Sequence, residues 1–282
     1  MPYIKRFIAF LAFVVITTGG LQGNSIGNST SLREASKKST SLKTLRSSPK
    51  LLETYYSQKL DELGLKLHPG TEHRTDSKPT IQSSQRCKSI VYRTLLQLPK
   101  SHSNQLTDLT LFYTKDGRRG YGGAGSIVLR CLNVADNELA SVLIHEIGHL
   151  VDGDLLFGTD AKTPSGFYDF EVPVAIDDPS LDFYRISWTS EKTRTEGDTL
   201  LDFVSEYAST DPFEDFAETY TYYRLHGAEF RQLMEFNNAL QQKYSFMKKY
   251  VFDGEEFNLG ATKSKLDLWA RNYDVTVLPF QL

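Results

Sequence analysis

The chain has 282 residues, of which 40% are hydrophobic and 12% aromatic, a composition typical of an ordinary globular protein. This length is enough for one large domain or for two lobes. The formal net charge of −3 argues against nucleic-acid binding, which usually requires a basic patch or a high isoelectric point, so we expect no nucleic-acid partner.

The first residues follow the pattern of a secretory signal peptide. Lys5 and Arg6 precede an apolar run from Phe7 to Ile16, and small and polar residues come next. The run is shorter than the roughly 20 apolar residues that a membrane-spanning helix needs, although an uncleaved anchor is the alternative. We expect residues 1–23 to be removed on export, which leaves a secreted protein, extracellular or periplasmic, without stable membrane association.

Residues 24–48 are dominated by serine, threonine, asparagine and lysine. Such a composition cannot bury enough apolar surface to order the chain, so we interpret the segment as a disordered linker or a propeptide remnant. The functional domain is expected to span residues 49–282. Its N-terminal lobe would end at about residue 152 and its C-terminal lobe would begin at about residue 153.

Both helices and strands are predicted in the first half of this domain. Helical spacing predicts one helix from Pro49 to about Leu63 and a second from about Pro79 to Leu98. Residues 109–114 and 126–129 have the pattern of strands. The chain from Asp211 onward is predicted to be mainly helical.

The chain contains two cysteines, Cys87 and Cys131. An exported protein meets an oxidising compartment, where thiols tend to pair. We predict one disulfide between them, and the alternative is two separate buried thiols.

The strongest motif is His-Glu-Ile-Gly-His at residues 145–149. It lies in a segment from Asp136 to Leu150 that begins with acidic residues and continues with an apolar pattern, which predicts a helix. On a helix, His145 and His149 share a face and can reach one ion, with Glu146 beside the water that the ion polarises. The pattern predicts one catalytic Zn²⁺ and Glu146 as general base, and the alternatives are a chance pattern or a degenerate structural site.

A catalytic zinc normally needs a third protein ligand. The extended three-histidine motif is excluded, because Asp152 and Leu155 occupy the positions of its glycine and last histidine. Asp160 follows Gly-Thr, but its spacing is one residue short of an aspartate-ligand motif. Glu214 and Glu218 are better candidates, because they share a predicted helical face: one can bind zinc while the other accepts a hydrogen bond from a ligating imidazole.

The chain contains His-Glu-Ile-Gly-His-Leu-Val-Asp at residues 145–152 and, at Tyr207, a tyrosine followed after six residues by Glu-Asp-Phe-Ala-Glu. Together these two motifs resemble the gluzincin family of anthrax lethal factor and the clostridial Pro-Pro endopeptidases. The resemblance covers roughly Gly120 to Leu240. It implies an α+β, zincin-like fold, with a small mixed sheet and the motif helix in the N-terminal lobe and a helical C-terminal lobe.

The resemblance also implies residue roles. Glu214 would be the third zinc ligand, Glu218 would orient a ligating histidine, and Tyr207 would donate to the developing oxyanion. The alternatives are that Tyr207 is a packed aromatic and that the two glutamates are surface acids. The resemblance thus implies a zinc-dependent endopeptidase, and we expect a peptide or protein substrate and a monomeric enzyme.

A glycine-rich segment, residues 120–125, precedes the second predicted strand. In the zincins that this chain resembles, the strand ahead of the motif helix is the sheet edge to which a peptide adds. An extended substrate is therefore expected to pair along residues 122–127, unless the segment is a flexible turn. The predicted substrate-binding residues are Gly122, Gly123, Ala124 and Gly125.

The long segment after the motif, residues 153–206, is rich in acidic and aromatic residues, and the aromatics predict that it packs over the cleft. Its acids could form a solvated loop, favour cationic substrates or bind calcium, although no complete calcium-loop pattern is present. The acidic residues, counted together with Asp152 directly before the segment, are Asp152, Asp154, Asp160, Asp169, Glu171, Asp177, Asp178 and Asp182.

Two other functions remain open. The first is an exported binding or adhesion protein that keeps zinc for structure alone, which would require neither Glu146 nor Tyr207. The second is a host-directed protease toxin, which shares the chemistry and differs in substrate range.

Overall fold

The computed structural model describes residues 48–70, 79–160, 163–259 and 270–280. The predicted signal peptide, residues 1–23, and all but the last residue of the predicted linker lie outside these ranges. Within them, no helix has the length and apolar character needed to cross a membrane.

The described chain is a mixture of helices and small sheets, compatible with the predicted α+β class. Its strands are β1 (Lys66–Pro69), β2 (Asp108–Phe112), β3 (Gly120–Gly123), β4 (Ser126–Arg130), β5 (Pro164–Asp169), β6 (Val172–Ala175), β7 (Trp188–Ser190) and β8 (Thr193–Arg194). Its helices are α1 (Pro49–Glu62), α2 (Ile81–Leu95), α3 (Lys100–Ser103), α4 (Asp136–Leu150), α5 (Leu181–Ser187), α6 (Pro212–Leu225), α7 (Gly227–Met234) and α8 (Asn238–Phe246).

The helices and strands predicted ahead of the motif agree with α1, α2, β2 and β4 to within a few residues. The predictions omitted β1 as a separate strand. Its four residues, Lys-Leu-His-Pro, are too short and too mixed in polarity to carry a strand pattern of their own. Pairing with β2 stabilises β1 instead.

The main sheet has the strand order β1-β2-β4-β3. β1, β2 and β4 are parallel, whereas β3 is antiparallel to β4 and forms one edge. Ala124 and Gly125 join β3 to β4, and their φ angles of 48° and 74° suit the left-handed two-residue turn of a hairpin. The predicted substrate pairing was wrong for residues 126 and 127, because β4 pairs with β2 on one side and with β3 on the other. The edges of the sheet are β1 and β3, and of these β3 lies beside β4.

The predicted disulfide between Cys87 and Cys131 is confirmed. Cys87 lies on α2 and Cys131 directly after β4, and both side chains are fully buried. The bond therefore attaches α2 to the short connection that leads into α4.

α4 and α6 pack against each other in the buried core. Within α4, eleven residues are buried, among them Leu143, Ile144 and Ile147. α6 begins as predicted, since the side chain of Asp211 accepts hydrogen bonds from the backbone N–H groups of Phe213 and Glu214. The described residues, from residue 48 onward, belong to one compact unit, and the two-lobe division at about residue 152 stays a prediction.

The segment of residues 153–206 is folded, as its aromatic content predicts. It contains the hairpins β5–β6 and β7–β8 with α5 between them. Five of its aromatic side chains are buried in the core: Phe167, Phe183, Tyr184, Trp188 and Phe203.

Candidate metal centre

Two histidines of α4 and one glutamate of α6 converge on one point. Oε2 of Glu214 lies 3.1 Å from Nε2 of His145 and 3.5 Å from Nε2 of His149. The histidines are four residues apart, so they lie on one face of α4, and their ring centroids are 4.9 Å apart. These three residues could hold a metal ion, and they are the one such group in the part of the chain that the structure describes.

Glu218 orients His145 from behind. It is fully buried, and its Oε1 lies 3.0 Å from Nδ1 of His145. Its Oε2 accepts hydrogen bonds from the Ser205 hydroxyl at 2.5 Å and from the Val275 backbone N–H at 2.8 Å. Because Nδ1 faces a carboxylate, it carries the imidazole hydrogen, which leaves the lone pair of Nε2 directed at the convergence point. A surface role for Glu218 is wrong.

The electrostatics of the group require a cation. Oε2 of Glu214 is buried and forms no hydrogen bond, yet it faces the Nε2 atoms of two imidazoles. Burial alone would raise the pKa of Glu214, but the two histidines outweigh it and hold that pKa well below its usual range. Burial would likewise lower the pKa of His145, but Glu214 and Glu218 raise it well above the usual value. A proton or a metal ion between Oε2 of Glu214 and the two Nε2 atoms would make the contact between these acceptor atoms favourable.

Glu146 lies against the edge strand β3. A Cβ atom added to Gly120 would lie 2.6 Å from Oε1 of Glu146, and one added to Gly122 would lie 3.2 Å from Oε2. These glycines therefore make room for the Glu146 carboxylate. The sequence did not indicate this reason for glycine at positions 120 and 122. Burial raises the pKa of Glu146, and His145 and His149 partly offset this effect.

Tyr207 contacts the third member of the group. It stands in a 3₁₀ turn, Tyr207–Ser209, and its hydroxyl donates a hydrogen bond of 2.9 Å to Oε1 of Glu214. Its ring lies 6.0 Å from that of His145, and 40% of the residue is exposed. Burial of the hydroxyl end and the charge of Glu214 raise the pKa of Tyr207, so the phenol stays protonated as a donor. Tyr207 is therefore more than a packed aromatic.

The group opens into a cleft of about 1490 Å³. Glu146, Tyr207 and the three converging residues all line it, and so do three of the predicted substrate-binding residues, Gly122, Gly123 and Ala124. Gly125 does not line the cleft. It lies in the β3–β4 turn, where its backbone N–H donates a hydrogen bond of 2.9 Å to the side chain of Asp154.

Asp160, the alternative third ligand, is outside the group. Its backbone N–H instead donates a hydrogen bond of 2.8 Å to Asp177. Asp177 and Asp178 also accept hydrogen bonds from the backbone N–H groups of Thr159, Gly158 and Ser180. Asp177 and Asp178 are therefore committed to backbone donors, and calcium binding by the acidic segment stays an alternative.

Three supporting residues have no signal in the sequence. Ser205 and Val275 hold Glu218, and Val275 does so through its backbone. Arg119 lines the cleft beside β3 and donates hydrogen bonds to Glu138 of α4 at 3.0 Å, to Thr276 at 2.8 Å and to Asp274. A serine, a backbone N–H and an isolated arginine fit no motif, so their roles become visible only once the chain is folded.

No protein-family model matches this chain, and no curated protein sequence matches it.

Proposed function

We propose that this protein is a secreted, zinc-dependent endopeptidase of the gluzincin class with a zincin-like fold. The observation that carries the proposal is the spacing of 3.1 and 3.5 Å between Oε2 of Glu214 and the Nε2 atoms of His145 and His149. Tetrahedral zinc with bonds of about 2.0–2.2 Å holds its ligand atoms about 3.3–3.6 Å apart. Two imidazoles, one carboxylate and an open cleft fit a catalytic zinc with a free position for water.

A bound zinc ion would supply Lewis-acid chemistry, because it lowers the pKa of a coordinated water to about 7 and polarises a carbonyl oxygen. Glu146 accepts the proton of the attacking water and passes it to the leaving amine. Its buried position and raised pKa favour this exchange, since a base that must also act as an acid works best near the operating pH. Glu218 keeps His145 in the tautomer that binds the metal.

Tyr207 is proposed as the donor to the oxyanion that forms on the substrate carbonyl. Its phenol is protonated and lies in the cleft, where it donates to Oε1 of Glu214. The phenol has one hydrogen, so its O–H would turn from Oε1 of Glu214 to the oxyanion as charge develops, while the ring keeps its place in the cleft.

The open edge of β3 is proposed as the site where an extended substrate adds a strand. Gly122 and Gly123 end this strand and line the cleft, so a peptide paired with β3 would pass the metal group. Secretion and removal of residues 1–23 remain part of the proposal, together with a monomeric state. The disulfide is compatible with an oxidising location.

A structural zinc site in a binding protein is the competing function. A structural zinc is usually closed by four protein ligands, whereas the described residues bring three ligating side chains together at an open cleft. The buried Glu146 in the same cleft also has no role in such a site. Both features favour catalysis.

The test combines metal analysis with proteolysis. The purified protein is expected to bind one equivalent of zinc and to cleave peptides in a mixture analysed by mass spectrometry, and chelation should stop cleavage. Glu146→Ala should keep the zinc and lose cleavage, whereas Glu235→Ala, an exposed acid outside the cleft, should change neither. Turnover by Glu146→Ala would disprove the role of Glu146. Zinc binding without cleavage of any peptide would favour the binding protein.

A further inference from the structure

The cleft wall beyond His149 carries negative charge that the described residues do not neutralise. Four of the acids predicted from the long segment line the cleft: Asp152, Asp154, Asp169 and Asp178. None of them forms an ion pair with a lysine or arginine within the described ranges. Three bases also line the cleft. Arg119 is committed to Glu138 and Asp274, Lys192 lies 4.0 Å from Glu191, and Arg118 forms no ion pair with the described residues, so the four acids outnumber the unpaired bases. The wall therefore has a net negative field that a cationic guest would offset.

Asp152 is a buried carboxylate in this negatively charged wall. Only 4% of the residue is exposed, and Oδ2 accepts a hydrogen bond of 2.7 Å from the Tyr184 hydroxyl. Oδ1 is buried without a hydrogen-bond partner. Burial raises the pKa of Asp152 to about 7, and the Tyr184 hydroxyl and His149 only partly offset the cost of keeping this buried carboxylate ionised. A cation held in the cleft would reduce that cost.

The same wall exposes large apolar side chains. Phe170 is 96% exposed in the loop between β5 and β6, and Val172 is 68%, Phe157 57% and Tyr168 40% exposed. All four line the cleft. Asp169, also exposed, stands between Tyr168 and Phe170 and forms no hydrogen bond or ion pair through its side chain with the described residues. An aromatic surface around a free carboxylate suits a guest with an apolar stem and a positive end.

We infer that this wall, formed by Tyr168, Asp169, Phe170 and Asp152, is a subsite for a lysine or arginine side chain of an extended peptide substrate. Asp169 pairs with the cationic group, the two aromatic rings cover its methylene stem, and the buried charge of Asp152 strengthens the attraction. The choice of a peptide occupant rests on the proposed function, because the wall is continuous with the cleft that contains the metal group.

The test measures binding separately from cleavage. The zinc-loaded Glu146→Gln variant would be titrated with fluorescein-labelled decapeptides that carry lysine, norleucine or glutamate at each position in turn. Norleucine has a similar stem to lysine but no charge. At one position, lysine is expected to bind at least about tenfold more tightly than norleucine, and norleucine more tightly than glutamate.

Substitutions within the wall then locate the preference. In the Glu146→Gln background, Asp169→Asn should reduce the ratio of lysine to norleucine affinity several-fold, and Asp169→Lys should shift the preference towards glutamate. Asp182→Asn, an exposed acid of the same segment outside the cleft, should leave the ratio unchanged. Asp152→Asn should also reduce the ratio of lysine to norleucine affinity, and this variant leaves the exposed β5–β6 hairpin unchanged.

Four outcomes are decisive. Equal binding of lysine and norleucine peptides at every position would overturn the subsite, and so would an unchanged ratio in Asp169→Asn. If the wild-type protein cleaves peptides but shows no such preference, the subsite fails while the proposed function stands. If lysine is preferred in binding but no peptide is cleaved, the subsite stands and the proposed function fails.

Discussion

Gly148 and Ala217 set the distance between the two helices that form the candidate metal centre. A Cβ atom added to Gly148 on α4 would lie 3.0 Å from Cα of Ala217 on α6 and 3.3 Å from Cδ1 of Tyr220. His145 and His149 flank this contact on one helix, and Glu214 lies one turn before Ala217 on the other. The glycine inside the motif thus permits the close approach on which the ligand distances depend.

Gly148→Ala is expected to push α6 away from α4, because the neighbour at 3.0 Å is backbone and cannot rotate aside. Overpacking of this kind costs roughly 1–3 kcal/mol of unfolding free energy. Zinc affinity should fall as well, since Glu214 moves relative to the histidines. Denaturant unfolding and zinc competition with a chromophoric chelator would measure both. Gly153→Ala, where no atom lies within 4 Å, is the matched control, and equal behaviour of the two variants would contradict the prediction.

Glu218→Gln should weaken zinc binding. An amide oxygen in the place of Oε2 can still accept from the Val275 N–H and the Ser205 hydroxyl, but the NH₂ group then faces Nδ1 of His145. The substitution also removes the negative charge beside Nδ1. Loss of such a supporting group typically costs about 10- to 100-fold in metal affinity. Competition titration with a chelator would measure the change in zinc affinity, with Glu235→Gln as a control at an exposed residue. An unchanged affinity would show that His145 is oriented without Glu218.

Tyr207→Phe should lower kcat far more than zinc affinity. Loss of one oxyanion donor typically reduces kcat by roughly 10²- to 10³-fold. The hydrogen bond of 2.9 Å to Glu214 is also lost, but Glu214 keeps the oxygen that faces the histidines. Steady-state kinetics on one cleaved peptide, with zinc content measured in parallel, would separate the two effects. Tyr250→Phe, at an exposed tyrosine outside the cleft, is the control.

Removal of the disulfide should destabilise the fold. Cys87 and Cys131 are 44 residues apart in the sequence, and closing a loop of this length restricts the unfolded chain by roughly 4 kcal/mol in the chain-entropy model. The double variant Cys87→Ser with Cys131→Ser should therefore unfold at lower denaturant concentration than the oxidised protein. Reduced wild-type protein should also be less stable, and equal midpoints for oxidised and reduced protein would refute the prediction.

Asp152→Asn should change how stability depends on pH. The folded-state pKa of Asp152 is about 7, above the ordinary 3.8, so the folded protein holds this proton more tightly than the unfolded chain. Its contribution to stability is therefore present at low pH and is lost as the pH rises from about 4 to 7. The asparagine variant cannot lose a proton, so it should gain stability relative to wild type across this window, by up to about 4 kcal/mol. Urea unfolding of the metal-free proteins at pH 4.5 and 8 would test this, and a constant difference would contradict it.

The sequence by itself determined what local spacing controls. His145, Glu146 and His149 occupy a helix because the apolar pattern from Asp136 to Leu150 repeats at helical spacing. Asp211 begins α6 because its side chain can accept the first free N–H groups of that helix. The disulfide followed from the presence of only two cysteines in a chain with an export signal pattern.

Only the tertiary structure decided which distant segments meet. The sequence favoured Glu214 over Asp160 as the third ligand, but the contact of Glu214 with His145 depends on the packing of α4 against α6. The edge strand beside β4 is β3, because β4 pairs with β2 on its other side, and strand order is not encoded within either strand. Val275 supports the site through a backbone N–H, which every residue except proline carries, so its identity could not reveal its role.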